Sequence, residues 1–364
     1  MAKRPISVLQ VFMMLMLVIG ENNHVLLLPF LLETAKRDSW MVVIIMIIPA
    51  FLWTAVWNGI LKKTDSHLSI TCWIQRRYGK MASITVAIPI LLFLLVSIFA
   101  SIRDTAMWTH TTYLPLTPIW VTVLSFVILC FFAAAAGIEA IAICAGILLP
   151  FVVVLGFFVM TANVQNKDYS FLTPLFTHGM SPTLHAMPYM GEAIGELMLL
   201  LFFRHHVKTD IRLIPFLVLT FILLGLTIGP LMGAIAMFGP FEAAHIRYPA
   251  FEQWRMVSIG KFISHLDFFS VYQWMSGAFI RVSLMLFLVA DIISFKQRRN
   301  RIRFLAVVAG IMVLVNLIPL SDMVFMRLLK QVFYPGALAV WLFLTVVIGI
   351  LVLAGRKEKI KTSS

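Results

Sequence analysis

The first long apolar segment is interrupted near its centre by polar residues that could bind a solute. Apolar residues fill 11–19 and 25–32, and Gly20-Glu21-Asn22-Asn23-His24 separates them. A charged side chain at this depth costs about 2.5–3.5 kcal/mol on insertion scales, so it occurs mainly beside a cavity or a charged partner. Because Gly and Asn also disfavour a regular helix, we expect the helix to unwind here. The candidate ligand-binding residues of this segment are Gly20, Glu21, Asn22 and Asn23, with an interfacial position of Glu21 in a tilted helix as the alternative.

A second polar pattern lies in a short apolar segment of the other half of the chain. Gly191-Glu192 and Gly195-Glu196 recur at an interval of four residues, which places the two glutamates on one helix face and the two glycines on another. Interrupted segments at corresponding positions of two halves are the sequence sign of a substrate site in secondary transporters. We therefore predict that Gly191, Glu192, Gly195 and Glu196 also belong to the ligand site.

The chemistry of the two segments favours a zwitterionic ligand. Half-helix N-termini offer N–H groups and the positive end of the helix dipole to a carboxylate, whereas carbonyls and a glutamate would face an ammonium group or a cation. Glu196 is the deeper of the two glutamates and either exchanges a proton or serves as a neutral hydrogen-bonding group. Glu192 lies nearer the start of its segment, which leaves a role at the entrance open.

A basic residue, Arg281, lies near the middle of a later apolar segment at 268–294. A guanidinium at this depth needs a route to the interface or a carboxylate partner, and Glu196 and Asp291 are the candidates. Ser276 and Gly277 on the same segment are small residues that permit either close helix packing or access of a ligand. We include both in the candidate ligand site, with Arg281 as the candidate charge partner.

The composition is that of an integral membrane protein. Of the 364 residues, 61% are hydrophobic and 12% are charged, against about 45–50% and about 25% in soluble domains. The net charge of +13 comes from short basic loops between apolar segments, which indicates membrane topology and lipid contact rather than nucleic-acid binding. No phosphate loop, nucleophile elbow or zinc-protease motif is present. We therefore expect neither an enzyme nor a cofactor or metal site, and we expect His205 and His206 to be solvated.

Ten apolar segments are candidates for membrane spans, and most exceed the roughly 20 residues needed to cross a bilayer. They cover 6–32, 40–61, 81–102, 118–136, 138–162, 187–203, 211–238, 268–294, 302–320 and 332–354. With the first and sixth interrupted, they predict one polytopic all-α membrane domain over 1–364, built as a five-plus-five inverted repeat with halves at about 6–162 and 187–354. Lys and Arg are more frequent in the loops on the side of both termini, which predicts that both termini are cytoplasmic.

Two loops on the opposite side are long enough to form structure of their own. The loop at 163–186 contains Pro174 and Pro182, and we expect it to form a lid or a short re-entrant turn. The loop at 239–267 mixes Phe251 and Trp254 with charged residues. This mixture predicts an amphipathic helix at the membrane interface, with a solvated loop as the alternative.

The second of these loops also carries the most specific family resemblance. Its sequence Tyr248-Pro249-Ala250-Phe251-Glu252, followed by Arg255, Ser258-Ile259-Gly260, Phe262-Ile263 and Leu266-Asp267, resembles that of the B subunit of spore germinant receptors. This family is the spore permease branch of the amino acid–polyamine–organocation superfamily. Shorter matches are Leu114-Pro115-Leu116-Thr117-Pro118, Gly79-Lys80, Gly137-Ile138-Glu139 and Gly191-Glu192. Lys261 and His265 depart from the family pattern of Asp and Arg, which affects a loop ion pair and not the fold.

The resemblance implies a fold similar to that of LeuT-like amino acid transporters, with broken first and sixth helices around the ligand. It implies a location in the inner membrane of dormant spores, with the germinant receptor A and C subunits as partners. It further implies that the chain binds a small nutrient, commonly an amino acid, and triggers germination through a population shift. The alternatives are a proton- or sodium-coupled amino acid transporter and, in third place, a purely structural membrane scaffold.

Overall fold

The structure is a computed structural model that describes residues 6–260 and 264–354. Lys261, Phe262 and Ile263, named above, lie outside these ranges, and so do the basic residues near the termini that enter the topology prediction, Lys3, Arg4 and those from Arg356 onward. Within the described ranges the chain is nearly all helical, and the β pairing there is one isolated bridge between Ile6 and Val207. The predicted all-α class is confirmed.

Most of the α-helices follow one another through short connections, and longer ones precede α8 and α12. In chain order they are α1 (Val8–Glu21), α2 (Leu28–Ala35), α3 (Ser39–Lys63), α4 (Ile70–Tyr78), α5 (Lys80–Thr112), α6 (Ile119–Ala136), α7 (Ile138–Ala162), α8 (Ser181–Gly195), α9 (Leu199–Phe203), α10 (Leu213–Ala243), α11 (Pro249–Arg255), α12 (Phe268–Ile293), α13 (Arg298–Asn316), α14 (Asp322–Leu328) and α15 (Tyr334–Ala354). π-Helical turns occupy Asn22–Leu26 and Leu329–Phe333. 3₁₀ turns occupy Lys36–Asp38, Val164–Asn166, Tyr169–Leu172, Glu196–Met198 and Arg204–His206.

Nine helical stretches of the described residues are long and apolar enough to cross a bilayer. They confirm an integral membrane protein, but the predicted count of ten is not reached by length and composition. The segment predicted at 302–320 corresponds to α13, whose first turns carry Arg298, Arg299, Arg301 and Arg303. In addition, a single 3₁₀ turn separates α2 from α3, so the two helices count together as one apolar stretch, Leu28–Lys63, although α2 continues the course of α1.

Span 1, which comprises α1, the first π-turn and α2, stays helical through the predicted break. The N–H of Leu27 donates to the carbonyl of Asn22 at 2.9 Å, and Glu21 and Asn22 keep right-handed helical dihedral angles. The predicted interruption of the α-helix is confirmed, but it is a π-turn and not an unwound segment. A π-turn interrupts the regular helix with a wider turn and still satisfies the backbone groups, as a lipid environment requires.

Span 6, which comprises α8, the 3₁₀ turn Glu196–Met198 and α9, runs antiparallel to span 1. The bridge between Ile6 and Val207 places the start of span 1 beside the end of span 6. α8 begins at Ser181, earlier than predicted, with a proline in its first turn where the missing N–H would have no intrahelical partner. The early start carries Glu192 into the interior, where it is fully buried. The alternative of an entrance role for Glu192 is therefore wrong.

The two histidines after span 6 are also placed differently from the prediction. His205 and His206 lie in the 3₁₀ turn Arg204–His206, and His206 is 8% exposed. The turn holds both rings against Asp291 near the end of α12. The expectation of solvated histidines is wrong, because this turn packs against a neighbouring helix instead of entering a loop.

Helix α11, in the loop predicted at 239–267, faces the protein instead of lying along a membrane surface. Phe251 and Trp254 are 5% and 3% exposed, and their rings contact Trp108 and Phe158. Burial against other aromatic rings removes more apolar area from water than a shallow interfacial position would. The predicted interfacial helix is therefore a short packed helix. The loop at 163–186 forms two 3₁₀ turns before α8 begins.

The two glycines of α8, Gly191 and Gly195, face α15. A Cβ on Gly195 would overlap the indole ring of Trp341 in α15, and a Cβ on Gly191 would lie 3.1 Å from Leu338. Trp341 is fully buried. The two glycines thus allow α8 and α15 to approach closely.

Replacing Gly195 with Ala should lower the thermal midpoint of the detergent-purified protein, because the buried indole has no free space to enter. Overpacking of this kind costs about 1–3 kcal/mol. The matched control is Gly310→Ala in α13, where a Cβ meets no atom within 4 Å. Equal midpoints for the two variants, measured by fluorescence-detected gel filtration after heating, would contradict the close contact.

Candidate functional site

Arg281 joins helices from both halves of the chain through one buried guanidinium. Its Nη1 and Nη2 donate to the two carboxylate oxygens of Glu196, with a distance of 2.6 Å for the Nη1 contact. Nη1 also donates to the carbonyl of Val18 at 2.8 Å, and Nε donates to Ser101 Oγ at 3.1 Å. Glu21 Oε2 lies 3.3 Å from Nε. Of the two candidate partners of Arg281, Glu196 is the one in contact.

Glu21 reaches this cluster because α12 approaches α1 closely at Gly277. A Cβ on Gly277 would lie 2.9 Å from the Cβ of Glu21 and 3.5 Å from the carbonyl oxygen of Leu17. Neither carboxylate oxygen of Glu21 accepts a hydrogen bond, although the side chain is buried. A carboxylate can accept several hydrogen bonds, so Glu21 keeps the capacity to bind a further donor.

The two asparagines of the π-turn contact different helices. Asn22 Nδ2 donates to Glu192 Oε2 at 2.9 Å, and Asn22 Oδ1 accepts from the hydroxyl of Tyr334 at 3.0 Å. Asn23 Nδ2 donates to the carbonyl of Leu223 in α10 at 3.4 Å. The widened turn changes the angle between successive side chains. Span 1 is therefore tied to span 6, α10 and α15 by adjacent residues.

A cavity of about 410 Å³ lies beside this polar interior. It is bounded by span 1, α7, α10, α11 and α12, and apolar side chains form most of its wall. Gly20, Glu21 and His24 contribute from span 1, and Gly277 contributes from α12. Ligand pockets usually measure about 300–1,000 Å³, so the volume suits a small organic molecule.

Aromatic side chains form one wall of the cavity. Phe251 and Trp254 of α11 and Trp274 of α12 line it, and Trp274 stacks on Trp108 with ring centroids 4.0 Å apart. Trp254 Nε1 donates to Gln273 Oε1 at 2.8 Å. Because this bond ties α11 to α12, the short outer helix is fixed as a cover over the cavity.

Two further polar groups are available at the wall. Trp274 Nε1 is buried and has no acceptor. Lys167, in the loop before span 6, also lines the cavity, and desolvation by burial lowers its pKa. The lining therefore combines one acidic residue, Glu21, with Lys167, Trp274 and the polar residues His24, Gln253, Ser270 and Gln273 in a mainly apolar wall.

The structure brings three of the predicted ligand residues to the cavity wall: Gly20, Glu21 and Gly277. The others lie in the packed interior beside it: Asn22, Asn23, Gly191, Glu192, Gly195, Glu196 and Ser276. Direct contact between these residues and a ligand stays a prediction. Their observed partners are protein groups of span 6, α10, α12 and α15.

Sequence reasoning did not select several cavity residues, among them His24, Gln273 and Trp274. His24 belongs to the polar interruption of span 1, so the sequence pattern could have predicted it as a cavity residue. Gln273 and Trp274 lie about one helical turn before Gly277. A polar amide beside tryptophan in an apolar segment was the signal for them.

An antiparallel pair of interrupted spans beside a cavity of this size defines an integral membrane protein of the transporter type. A solved structure, the crystal structure of MhsT in complex with L-phenylalanine, is similar with a TM-score of 0.62. The alignment covers 96% of this chain and 90% of that chain at 12% identity. The similarity concerns the fold alone, and it confirms the predicted fold class.

The sequence comparisons identify the branch of this class. The family described as spore germination protein, the spore permease family, matches residues 5–322. A protein described as spore germination protein XB, from Bacillus anthracis, is 40% identical over 326 residues, which is 89% of this chain and 91% of that protein. The chain belongs to the spore permease family. Membership points to a non-enzymatic membrane protein.

Replacing Arg281 with Gln should strongly destabilise the protein, because it leaves the Glu196 and Glu21 carboxylates buried without their cation. Breaking a buried pair in this way costs about 3–5 kcal/mol. The expected result is a lower thermal midpoint and less protein in the membrane fraction. A second change, Glu196→Gln, should restore part of the loss.

The matched control for Arg281→Gln is Arg255→Gln. Arg255 pairs with Glu252 at 3.1 Å, but its side chain is 59% exposed, so the change should cost no more than about 1 kcal/mol. Similar losses at the two positions would contradict a central structural role for Arg281.

Proposed function

We propose that this chain is the nutrient-sensing membrane subunit of a spore germinant receptor. It binds a small ligand in the cavity beside span 1 and triggers germination with the A and C subunits. The observation that carries this proposal is the cavity of about 410 Å³ with Glu21 among its lining residues, in a chain of the spore permease family. Its setting is the spore inner membrane, with both termini cytoplasmic.

The chemistry of the cavity supports an amino acid as the ligand. Glu21 Oε2 lies 3.3 Å from Arg281 Nε, but neither oxygen accepts a hydrogen bond, so the carboxylate keeps acceptor capacity for an ammonium group. Trp274 Nε1 and Lys167 are donors suited to a carboxylate, and the apolar wall suits a hydrophobic side chain. The solved structure with the same fold contains L-phenylalanine, which is an amino acid of this kind.

Ligand binding would change the balance between arrangements of the helices. A ligand ammonium on Glu21 adds a second cation beside Arg281, which already contacts Glu21 and Glu196. Any arrangement of the helices that separates the two cations then becomes more favourable. A ligand shifts the population of two arrangements only when it binds one of them more tightly than the other. The A subunit would detect the new arrangement.

The proposal is tested by a nutrient screen on spores that carry or lack the gene. Amino acids, sugars and nucleosides are added singly, and germination is followed by loss of optical density. Hydrophobic amino acids should germinate only the spores that carry the gene. Identical nutrient profiles for the two spore types would overturn the sensing role.

Replacing Gly20 with Leu should reduce the response to the nutrient found in that screen, because the side chain would occupy the cavity. We expect the half-maximal nutrient concentration to rise by about tenfold or more, which corresponds to 1.4 kcal/mol per tenfold. Gly59→Leu in α3 is the matched control, since no atom lies within 4 Å of its Cβ position. Unchanged sensitivity at normal membrane levels would count against the cavity as the site.

Replacing Glu21 with Gln should weaken binding of an amino acid and spare its deaminated analogue, because the change removes the negative partner of the ammonium group. The measurement is competition of the two compounds for purified protein. Glu252→Gln, at a half-buried side chain that pairs with Arg255, serves as control. A proportionate loss for both compounds would show that Glu21 does not recognise the amine.

A proton- or sodium-coupled amino acid transporter is the second candidate. The observation that favours it is the charge of the interior, where three buried carboxyl groups, Glu21, Glu192 and Glu196, face one guanidinium. A proton or sodium ion would offset the excess negative charge. Purified protein in liposomes separates the candidates, because gradient-driven accumulation supports transport and binding without accumulation supports sensing.

A further inference from the structure

A cluster of three metal-ligating side chains lies at the ends of span 6 and α12, away from the cavity. His205 Nε2 lies 3.0 Å and His206 Nε2 lies 3.2 Å from the same carboxylate oxygen, Asp291 Oδ2. The three ligand atoms all lie within 4.8 Å of one another. The side chains are 15%, 8% and 14% exposed. We propose that His205, His206 and Asp291 bind one divalent transition-metal ion of the zinc type.

The geometry fits a metal that keeps one open position. Zn²⁺ takes His nitrogen at about 2.0–2.1 Å and carboxylate oxygen at about 2.0–2.2 Å in a tetrahedron, so ligand atoms are about 3.4 Å apart. The two measured separations from Asp291 are close to that edge length. Two imidazoles and one carboxylate also form a recurrent ligand set for divalent transition metals. The fourth position would hold water.

The protonation of the cluster is compatible with a metal. His205 Nδ1 has no hydrogen-bond partner, so nothing on that side fixes the tautomer, and Nε2 can present its lone pair. The alternative is that one or both rings donate Nε2–H to Asp291 as a simple ion pair. A bound metal replaces those protons, so it would keep the histidines linked to Asp291 even at a pH at which the rings carry no charge.

Nearby basic groups already have other contacts. Arg204 pairs with Asp210. The Arg301 guanidinium lies 4.7 Å from the ring centroid of Phe287 and donates to the carbonyl of Ala134 at 3.3 Å. Arg301 interacts electrostatically with Asp291, so its positive charge would lower the affinity for a metal.

The site would act as a second clamp between the same two spans. Glu196 and His206 are ten residues apart in span 6 and its closing turn, and Arg281 and Asp291 are ten residues apart in α12. Ten residues span about 15 Å of helix. Span 6 and α12 are therefore paired twice, once by Arg281 with Glu196 and once by Asp291 with the histidines. A metal at the second contact would hold these ends together independently of any ligand in the cavity.

The test uses the full-length protein without a histidine tag, purified in detergent and stripped with a chelator. Zn²⁺ is titrated in competition with a fluorescent chelator, and Co²⁺ is followed by its visible absorption. We expect one equivalent of metal and the intense d–d bands of tetrahedral cobalt. A spectrum that stays that of the aqueous ion, or the absence of stoichiometric Zn²⁺ binding, would show an ion pair only and overturn the proposal.

Variants locate the binding. His206→Ala and Asp291→Asn should each lower Zn²⁺ affinity by more than about 100-fold, since even changes to groups behind the ligands cost about 10–100-fold. His185→Ala, at an exposed histidine outside the cluster, should bind metal like the unchanged protein. Binding that persists in a His206→Ala, Asp291→Asn double variant would overturn the assignment. If these variants do not fold, the cobalt spectrum of the unchanged protein still decides between metal and ion pair.

Discussion

The buried guanidinium of Arg281 is the interaction on which the arrangement of this bundle depends. From its position in α12, it donates hydrogen bonds to span 1, α5 and span 6, and it makes an ion contact with Glu21 of span 1. Arginine suits this position because its planar fork of donors matches a carboxylate and leaves further donors for a hydroxyl and a carbonyl. Without such partners a charge in the membrane interior would be very costly. The small residue Gly277 is needed for the same reason, since it lets Glu21 approach the cation.

This packed polar interior and the apolar cavity share one wall. Glu21 belongs to both, because it contacts Arg281 and lines the cavity. The remaining acidic groups of span 6 lie behind it and are held by Asn22 and Arg281. A change at the cavity can therefore reach span 6 through one side chain and one guanidinium. The aromatic residues of α11 cover this wall and pack against Trp108 and α12.

The segments that the sequence predicted well are those with a strong local signal. Apolar runs bounded by Gly137 define the ends of α6 and α7 as observed, because a residue at φ 111° ends a helix. The polar interruptions of spans 1 and 6 were also visible. The π-turn was not, because the side chains of Asn22 and Asn23 that it positions contact Glu192, Tyr334 and Leu223, which are distant in the chain. For the same reason, the choice between Glu196 and Asp291 as partner of Arg281 needed the tertiary structure.

Features that depend on distant contacts were placed incorrectly from the sequence. His205 and His206 looked like loop residues because their partner, Asp291, is distant in the chain and near the end of another apolar segment. Phe251 and Trp254 matched an interfacial pattern, since an apolar residue beside charges gives the same sequence signal whether it faces lipid or protein. Burial decided these cases, and burial is set by which helices meet.

The wide turn at Asn22–Leu26 also sets the rotational phase of span 1. Each residue of an α-helix advances the side-chain direction by about 100°, and a turn with one additional residue offsets all later side chains by nearly that angle. Phe30 and Leu31 are both buried in the present phase. Conversion of the turn to regular α geometry would rotate α2 about its axis relative to α1, and the outer end of the span would then present a different face to α3, α8 and α10.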